Sequence, residues 1–433
     1  MRNTRPKRAT ALVVAFLPVL LLAKPAAAQN VAITGVRIVV GNGPVYENGT
    51  IIVRDGKIAT VTGGAVQIPA GLATIDGKGM SAMPGFIDGH KHLNDGPNAK
   101  AWMQSLLEAG MTTILIASGQ ADANLALAKR VESGEYNGPR LIPAVSVNLR
   151  QTPAEARAAI QAIAKAGIKH TGEIALTPEP APPQAEIETL RAIVDEAKKV
   201  GVQVNVHAVS SPAMTAAMDV GVTRLVHLPN KDFTTYEQAE EVAKTGSIVA
   251  GLIAFGAPNI DRLSAGPAPV LWPKDNTPRF RDGKAWPESI AGANRDAKGR
   301  AMGTEGGFTI INARRIWDAD PEHGTISYST DQNADDLVVL EHELKSFSIV
   351  FSMADIHRIL TQNAARFVGL EKEIGTLETG KRADILLING DVRDNIYQLI
   401  GTVKVVLKDG KIVVDRRPVP ATAPPTASRP GTR

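Results

Sequence analysis

The stretch "MPGFIDGHKHLND", residues 83–95, decides how the rest of the chain is read. Phe86 and Ile87 open a short apolar run that ends on His90 and His92. In an extended chain, residues two apart share a face, so this H-x-H pair sets two imidazoles side by side at the end of a strand. The same design recurs downstream. Short β-branched or apolar runs fall at "TTILIA" (112–117), "LIPAVSV" (141–147), "IKHTGEIAL" (168–176), "VQVNVH" (202–207), "TRLVHL" (223–228), "SIVAGLIAF" (247–255) and "TISYST" (325–330). Helix signals lie between most of them. Thr152-Pro153-Ala154-Glu155 is a capping box with proline at the first helical position, and Gly167 closes that helix. Ser211-Pro212 opens a helix that Gly221 closes, and Thr235 with Gln238 opens one that Gly246 closes. Eight strand–helix units in about 290 residues predict an α/β fold, a (β/α)8 TIM barrel. An open parallel sheet would carry a glycine-rich phosphate loop after an early strand, and the sequence has none.

Outward from this middle, both ends of the chain have a different texture. "VAITGVRIVVGNG" and "GTIIVRDGKIATV" near the start match "GTLETGKRADILLING" and "VKVVLKDGKIVVDR" near the finish: short strands joined by Gly and Asn turns. Residues 29–82 and 372–416 are therefore expected to build one small β-sandwich domain flanking a barrel over 83–371. The Pro-, Ala- and Thr-rich segment 417–433 is expected to be unstructured. One connection is abnormal: from Phe255 to the helix-like "TIINARRIWDA" the chain runs far beyond the usual loop of about 4–6 residues. This 257–307 stretch holds Trp272, Phe280 and Trp286, which read either as anchors of a long loop or as an apolar rim over a substrate.

The formal charge of +4 invites a nucleic-acid or anionic-membrane partner, but the first 28 residues account for it. "MRNTRPKR" is basic, "ALVVAFLPVLLLA" is a 13-residue apolar run, and small residues precede Gln29. That is the pattern of a cleavable signal peptide, and the apolar run is short for a membrane span of about 20 residues. The remainder carries 43 basic and 44 acidic residues. The expectation is an exported, periplasmic protein with a small-molecule substrate, no nucleic acid and no membrane attachment after cleavage; a homo-oligomer is compatible with it. There is no cysteine, hence no disulfide and no thiolate ligand.

The histidines locate the chemistry. Of eight, His90 and His92 end strand one, His207 ends strand five and His227 ends strand six; Asp331 ends strand eight. A single buried histidine is usually a hydrogen-bonded core residue, whereas four at strand ends with a carboxylate form a divalent-metal donor set. His170 has the strand parity that should face the helices, and His323 precedes strand eight. His357 reads as structural, and His342 could reach the mouth through the loop after strand eight. Arg150, just past strand three, is either a solvated charge or a carboxylate anchor.

The order of these residues resembles the amidohydrolase superfamily. "MPGFIDGHKHLND" resembles its PGFID-x-H-x-H start, and "TQNAARFVGLEKEIGTLETGKRADILLING" (361–390) resembles the segment where such chains leave the barrel and re-enter the β-sandwich. The general texture is closest to the imidazolonepropionase and prolidase-like (Xaa-Pro dipeptidase) branch. The resemblance implies two cations, most simply Zn²⁺, with Mn²⁺, Fe²⁺ or Co²⁺ as alternatives. His90, His92 and Asp331 would hold the more buried one and His207 and His227 the more exposed one, with a strand-four residue as bridge. It also implies hydrolysis of an amide or cyclic amide C–N bond by a metal-bound hydroxide, with Asp331 as general base. A hydrolytic deaminase acting on an amidine-type ring is the alternative, and a non-catalytic exported binding protein is a third reading.

In much of that family the bridge is a carboxylated lysine. Strand four, "AGIKHTGEIALT" (166–177), offers Lys169 and Glu173, four apart and of the same parity. Lys169 follows Gly167 directly and so lies near the bottom of the barrel, while Glu173 is about 13 Å further along, near the catalytic end. Glu173 is therefore expected to bridge the cations without lysine carboxylation; otherwise it is a solvated strand-end carboxylate.

Overall fold

A computed structural model describes residues 29–253, 297–331 and 336–418. The signal-peptide reading, Trp272, Phe280, Trp286 and most of the terminal tail lie outside the described residues.

Among the described residues the strands form two systems. The first is a branched eight-stranded network, in the order β17-β16-β15-β5-β1-β2-β3 with β4 on β1. β1 (Val31–Val39), β2 (Val45–Arg54), β3 (Lys57–Gly63), β4 (Ala73–Asp76) and β5 (Met80–Pro84) come from one end of the chain; β15 (Ile385–Asn389), β16 (Val403–Lys408) and β17 (Lys411–Asp415) come from the other. Antiparallel pairing of β15 with β5, Leu387 opposite Ala82, joins the two ends. β4 takes the first half of β1 and β5 the second, so the network branches around one apolar cluster that includes Ile33, Ile51, Ile75, Leu387 and Val405.

The second system is parallel and alternates with helices. It comprises β6 (Phe86–Lys91), β7 (Met111–Ile116), β8 (Arg140–Ile142), β9 (Ala144–Val145), β10 (His170–Ala175), β11 (Gln203–His207), β12 (Arg224–Val226), β13 (Ile248–Gly251) and β14 (Ile326–Tyr328). The expected third strand is two pieces, β8 and β9, separated by Pro143, which has no N–H to give to a ladder. Strands β6 to β8 and β9 to β14 pair in sequence order, and a parallel bridge of Lys91 to Asp331 links the last strand back to the first. β6, β7 and β13 are buried along their whole length, as strands covered on both faces are. One face packs on helices through Ile114, Ile174, Val206, Leu225 and Val249. The other, through Ile87, Leu115, Val226, Ile248 and Ala250, packs on the short helix Ala364–Phe367, which covers the N-terminal ends of the strands.

Four of the described α-helices begin at a side-chain cap. Thr152 accepts from the Glu155 amide and Glu155 returns the bond, and Ala156, Ile160 and Ile163 then form one buried stripe. That helix ends as Gly167 turns to φ 78°, a conformation side chains with a Cβ disfavour. Thr235 with Gln238 and Ser352 with Asp355 make the same box. The helix expected from Ser211 is capped one residue earlier, by Ser210, whose hydroxyl accepts from the Ala213 amide. The helix expected at "TIINARRIWDA" begins upstream at Ala297 and runs to Asp318, so the end of the 257–307 stretch is helical rather than loop. Four glycines in 297–307 hide its helical tendency from a composition reading. Among the described residues no helix is long and apolar enough to cross a membrane.

Candidate metal centre

Six side chains from five places in the chain converge at the C-terminal ends of the parallel strands. His90 is on β6 and His92 follows it; Glu173 is on β10 and His207 closes β11. His227 lies one residue past β12 and Asp331 three past β14. These last two leave regular strand geometry altogether: His227 has φ 68° and Asp331 φ 58°. Left-handed backbone is uncommon at non-glycine residues, although Asp and His adopt it more readily than most, and it recurs here at Asp55, His323 and Asp409. The Asp331 amide donates to the His90 carbonyl at 2.8 Å, and the His227 amide donates to that of Ala250.

The donor atoms form two groups that share one residue. His90, His92, Glu173 and Asp331 make the first, Glu173, His207 and His227 the second. Asp331 Oδ1 lies 3.2 Å from His90 Nε2 and 3.0 Å from His92 Nε2. Glu173 faces both groups, with Oε1 3.3 Å from His92 Nε2 and Oε2 2.8 Å from His207 Nδ1. Oε2 is also 3.6 Å from His90 Nε2 and from His227 Nε2. The Ser118 hydroxyl shares a hydrogen bond of 2.9 Å with His92 Nδ1, leaving Nε2 turned to the carboxylates. His90 and His227 are buried, at 2% and 1%, while His92 and His207 are exposed to 35% and 29%. Each group therefore pairs one buried imidazole with one open one, and the ligands do not divide into a buried set and an exposed set.

The electrostatics fit a cation. Burial pushes the Glu173 carboxyl up, but the imidazoles of His207, His227 and His92 outweigh it and hold the group well below the usual carboxylate range. Asp331 behaves likewise: burial raises it, but His90 and His92 outweigh that and hold it below the usual carboxylate range. Asp331 and Glu173 together lift His92 to about 9, against the effect of burial. Burial drives His227 to about 4 although Glu173 pulls the other way. Without a cation, two ionised carboxylates must hold a proton on His92; a divalent ion relieves that demand. His90 Nε2 adds a geometric sign, since it is buried without a hydrogen bond despite the carboxylates around it. An unshared donor atom amid other donor atoms is what a metal ligand looks like before it is compensated.

A bulge in β10 bears on the strand-four choice. β10 pairs His170 with Gln203 and Glu173 with Asn205, three residues against two. The extra residue reverses the parity expected along this strand. Glu173 turns to the site, and Lys169, exposed one residue before β10, does not reach it. His170 does not face the helices as expected. It is buried at the N-terminal ends of the strands, near the Arg224 guanidinium and hydrogen-bonded to the Val368 backbone. The bulge is supported by the Thr171 hydroxyl, which accepts from the Asn205 amide, and by Gly172, where a Cβ would lie 2.8 Å from the Ala117 carbonyl oxygen.

His323 stacks on Trp317, with ring centroids 4.8 Å apart, and His357 is buried with Nε2 on the Val392 carbonyl at 3.0 Å. Both stand outside the centre, as expected of structural histidines. The His342 side chain lies outside the described residues. Arg150 is exposed, its amide held by Asn148. Sequence reasoning passed over Asp88, Ser118 and Thr330. Only Asp88 carried a signal, as a carboxylate inside an otherwise apolar strand two residues before His90.

Comparison with known proteins agrees with this arrangement. A model of the amidohydrolase family matches residues 108–414. The chain belongs to the amidohydrolase family. It is accordingly a metal-dependent hydrolase of carbon–nitrogen bonds. This amidohydrolase is 24% identical over 446 residues to a 5-methylthioadenosine/S-adenosylhomocysteine deaminase of Symbiobacterium thermophilum, covering 87% of this chain and 91% of that one. It is 39% identical over 80 residues to an enamidase of Eubacterium barkeri, covering 17% of this chain and 21% of that one. Its fold is similar to that of a Xaa-Pro dipeptidase with methionine bound in the active site (TM-score 0.70, 18% identity, covering 89% of this chain and 99% of that one).

Proposed function

We propose that this amidohydrolase cleaves an amide or cyclic amide C–N bond at a centre of two divalent cations, most simply Zn²⁺. His90, His92 and Asp331 would hold one, His207 and His227 the other, and Glu173 would stand between them. The observation that carries this reading is the Glu173 carboxylate, which offers Oε1 toward His92 and Oε2 toward His207. Two nearby cations repel, and a shared anionic ligand offsets that repulsion. Divalent ions in such a site acidify a water and polarise the bond under attack. Asp331 is the proposed general base and then acid. It takes the proton from the attacking water and returns it to the leaving nitrogen. It is half-open to the site, and its neighbours hold it ionised. Closure of the parallel strands into a (β/α)8 barrel, which the Lys91–Asp331 bridge supports, would put all six ligands at one mouth. The basic, apolar and small-residue stretches of the first 28 residues support export to the periplasm.

A second reading, a hydrolytic deaminase of an amidine-type ring, is favoured by the deaminase relative that spans 87% of this chain. The two separate by product. Metal-loaded protein is incubated with N-acyl amino acids, Xaa-Pro dipeptides, lactams and purines. A new amine with a carboxylate supports the amide reading, and ammonia from a purine supports the deaminase. Purified protein that holds no metal and turns over nothing with added Zn²⁺ or Mn²⁺ overturns both.

A further inference from the structure

Asp331 has a left-handed backbone at φ 58°, and what surrounds it fixes where its carboxylate points. The residue before it, Thr330, is buried at 2% and is tied on three sides. Its amide donates to Asp88 Oδ1 at 3.2 Å, its hydroxyl donates to Asp88 Oδ2 at 2.6 Å, and the same hydroxyl accepts from Lys91 Nζ at 3.2 Å. Asp88 Oδ1 also accepts from the His90 amide at 3.0 Å. One carboxylate, 1% exposed, thus binds the backbone beside two ligands, His90 on β6 and Asp331 past β14. These segments are far apart in sequence, and the Asp331 amide bond to the His90 carbonyl is the adjoining link between them.

An isolated buried carboxylate would be costly. This one is offset in part by three hydrogen bonds and by Lys91, itself 1% exposed and lying with Nζ 5.8 Å from the Trp102 ring centroid, although burial still outweighs them. Lys91 sits between His90 and His92 in sequence. The alternation that sends the imidazoles to the centre sends its ammonium to the other side, toward Thr330.

We propose that Asp88 and Thr330 are positioning residues that fix Asp331 relative to His90, and thereby set the proton-transfer geometry of the centre. This rests on the metal-centre reading above. Neither residue touches the donor cluster; both act through the backbone of the ligands. Groups that orient a metal ligand in this way change activity by about 10–100-fold when lost.

The test is Thr330→Val, which keeps the shape and removes the hydroxyl, with Thr330→Ser as the conservative rescue. Each protein, wild type included, is loaded with Co²⁺ and its visible d–d spectrum recorded, and kcat and KM are measured on whatever substrate the product screen supplies. Arg140→Ala is the comparator, because it disturbs a buried ion pair with Asp384 at the opposite ends of the strands. The expected result is a shifted Co²⁺ spectrum and a kcat lowered about 10–100-fold at little-changed KM in Thr330→Val, both restored in Thr330→Ser. Arg140→Ala is expected to lose stability with an unmoved spectrum. A Thr330→Val protein that is merely less stable, with the wild-type spectrum and kcat, overturns the assignment. Wild-type protein that takes up no Co²⁺ overturns the metal reading, and this assignment with it.

Discussion

Glu173 Oε2 and His207 Nδ1 meet at 2.8 Å across the neighbouring strands β10 and β11. The contact exists because the bulge in β10 sets Glu173 opposite Asn205 and turns its carboxylate to the strand ends. Lys169, exposed before the strand begins, has no part in it. Glu173→Gln keeps the size of the side chain and removes the charge that two cations would share. The variant is expected to lose bound metal, measured by elemental analysis, and to lose activity by at least about 100-fold. Lys169→Met is expected to keep both. Metal lost from the lysine variant and kept in the glutamate variant would invert the assignment.

Asp331→Asn separates ligation from proton transfer. Asparagine accepts left-handed backbone better than most residues, so the turn at φ 58° is expected to survive the change. The amide oxygen still points at His90 and His92, but it no longer takes a proton near neutral pH. Activity is expected to fall by about 10²–10⁴-fold, with metal content reduced far less. Elemental analysis and steady-state rates on the same sample check this. Loss of metal in proportion to activity would leave Asp331 a ligand and no base.

What the sequence could and could not reveal follows from the range of each interaction. The H-x-H pair, the capping boxes at Thr152 and Thr235 and the shared texture of the two termini are local patterns, and the capping boxes form where their residues predict. Strand ends were legible because histidines mark them. Parity along β10 was not legible, because the bulge depends on close approaches to distant segments: Gly172 lies against Ala117, just past β7, and Thr171 bonds to the β11 backbone. His170 was placed on the wrong face for that reason alone. The link from Asp88 to Thr330 spans 242 residues and leaves no periodic trace. The left-handed turns at His227 and Asp331 are equally silent, since neither residue type announces positive φ as glycine does.

Gly172→Ala tests the bulge itself. A Cβ at this position would lie 2.8 Å from the Ala117 carbonyl oxygen, and that carbonyl also accepts the Glu173 amide at 2.9 Å. Backbone atoms on both sides leave no flexible side chain to give way. The methyl is expected to push β10 from its neighbour, costing about 1–3 kcal/mol in urea unfolding and lowering metal affinity together. Unchanged stability with unchanged metal binding would show that the strands part without moving Glu173.

Away from the centre, two buried histidines make stability depend on pH in a defined direction. Burial lowers His170 to about 3, aided by the Arg224 charge, and lowers His357 to about 4. Both values lie under the ordinary 6.5, so between them and 6.5 the unfolded chain binds protons that the folded chain refuses. Stability is therefore flat above about 6.5 and falls as the pH drops below it, by up to about 1.4 kcal/mol per pH unit for each histidine. His227, which burial lowers to about 4, titrates in the same range, which makes a comparison between variants necessary. His357→Gln retains a donor for the Val392 carbonyl and removes the titration. Urea unfolding of both proteins at pH 7 and pH 5, under equal metal loading, is expected to show wild type losing about 2 kcal/mol more than the variant over that interval. Parallel losses would mean that His357 takes its proton equally well folded and unfolded, and that its burial carries no linkage.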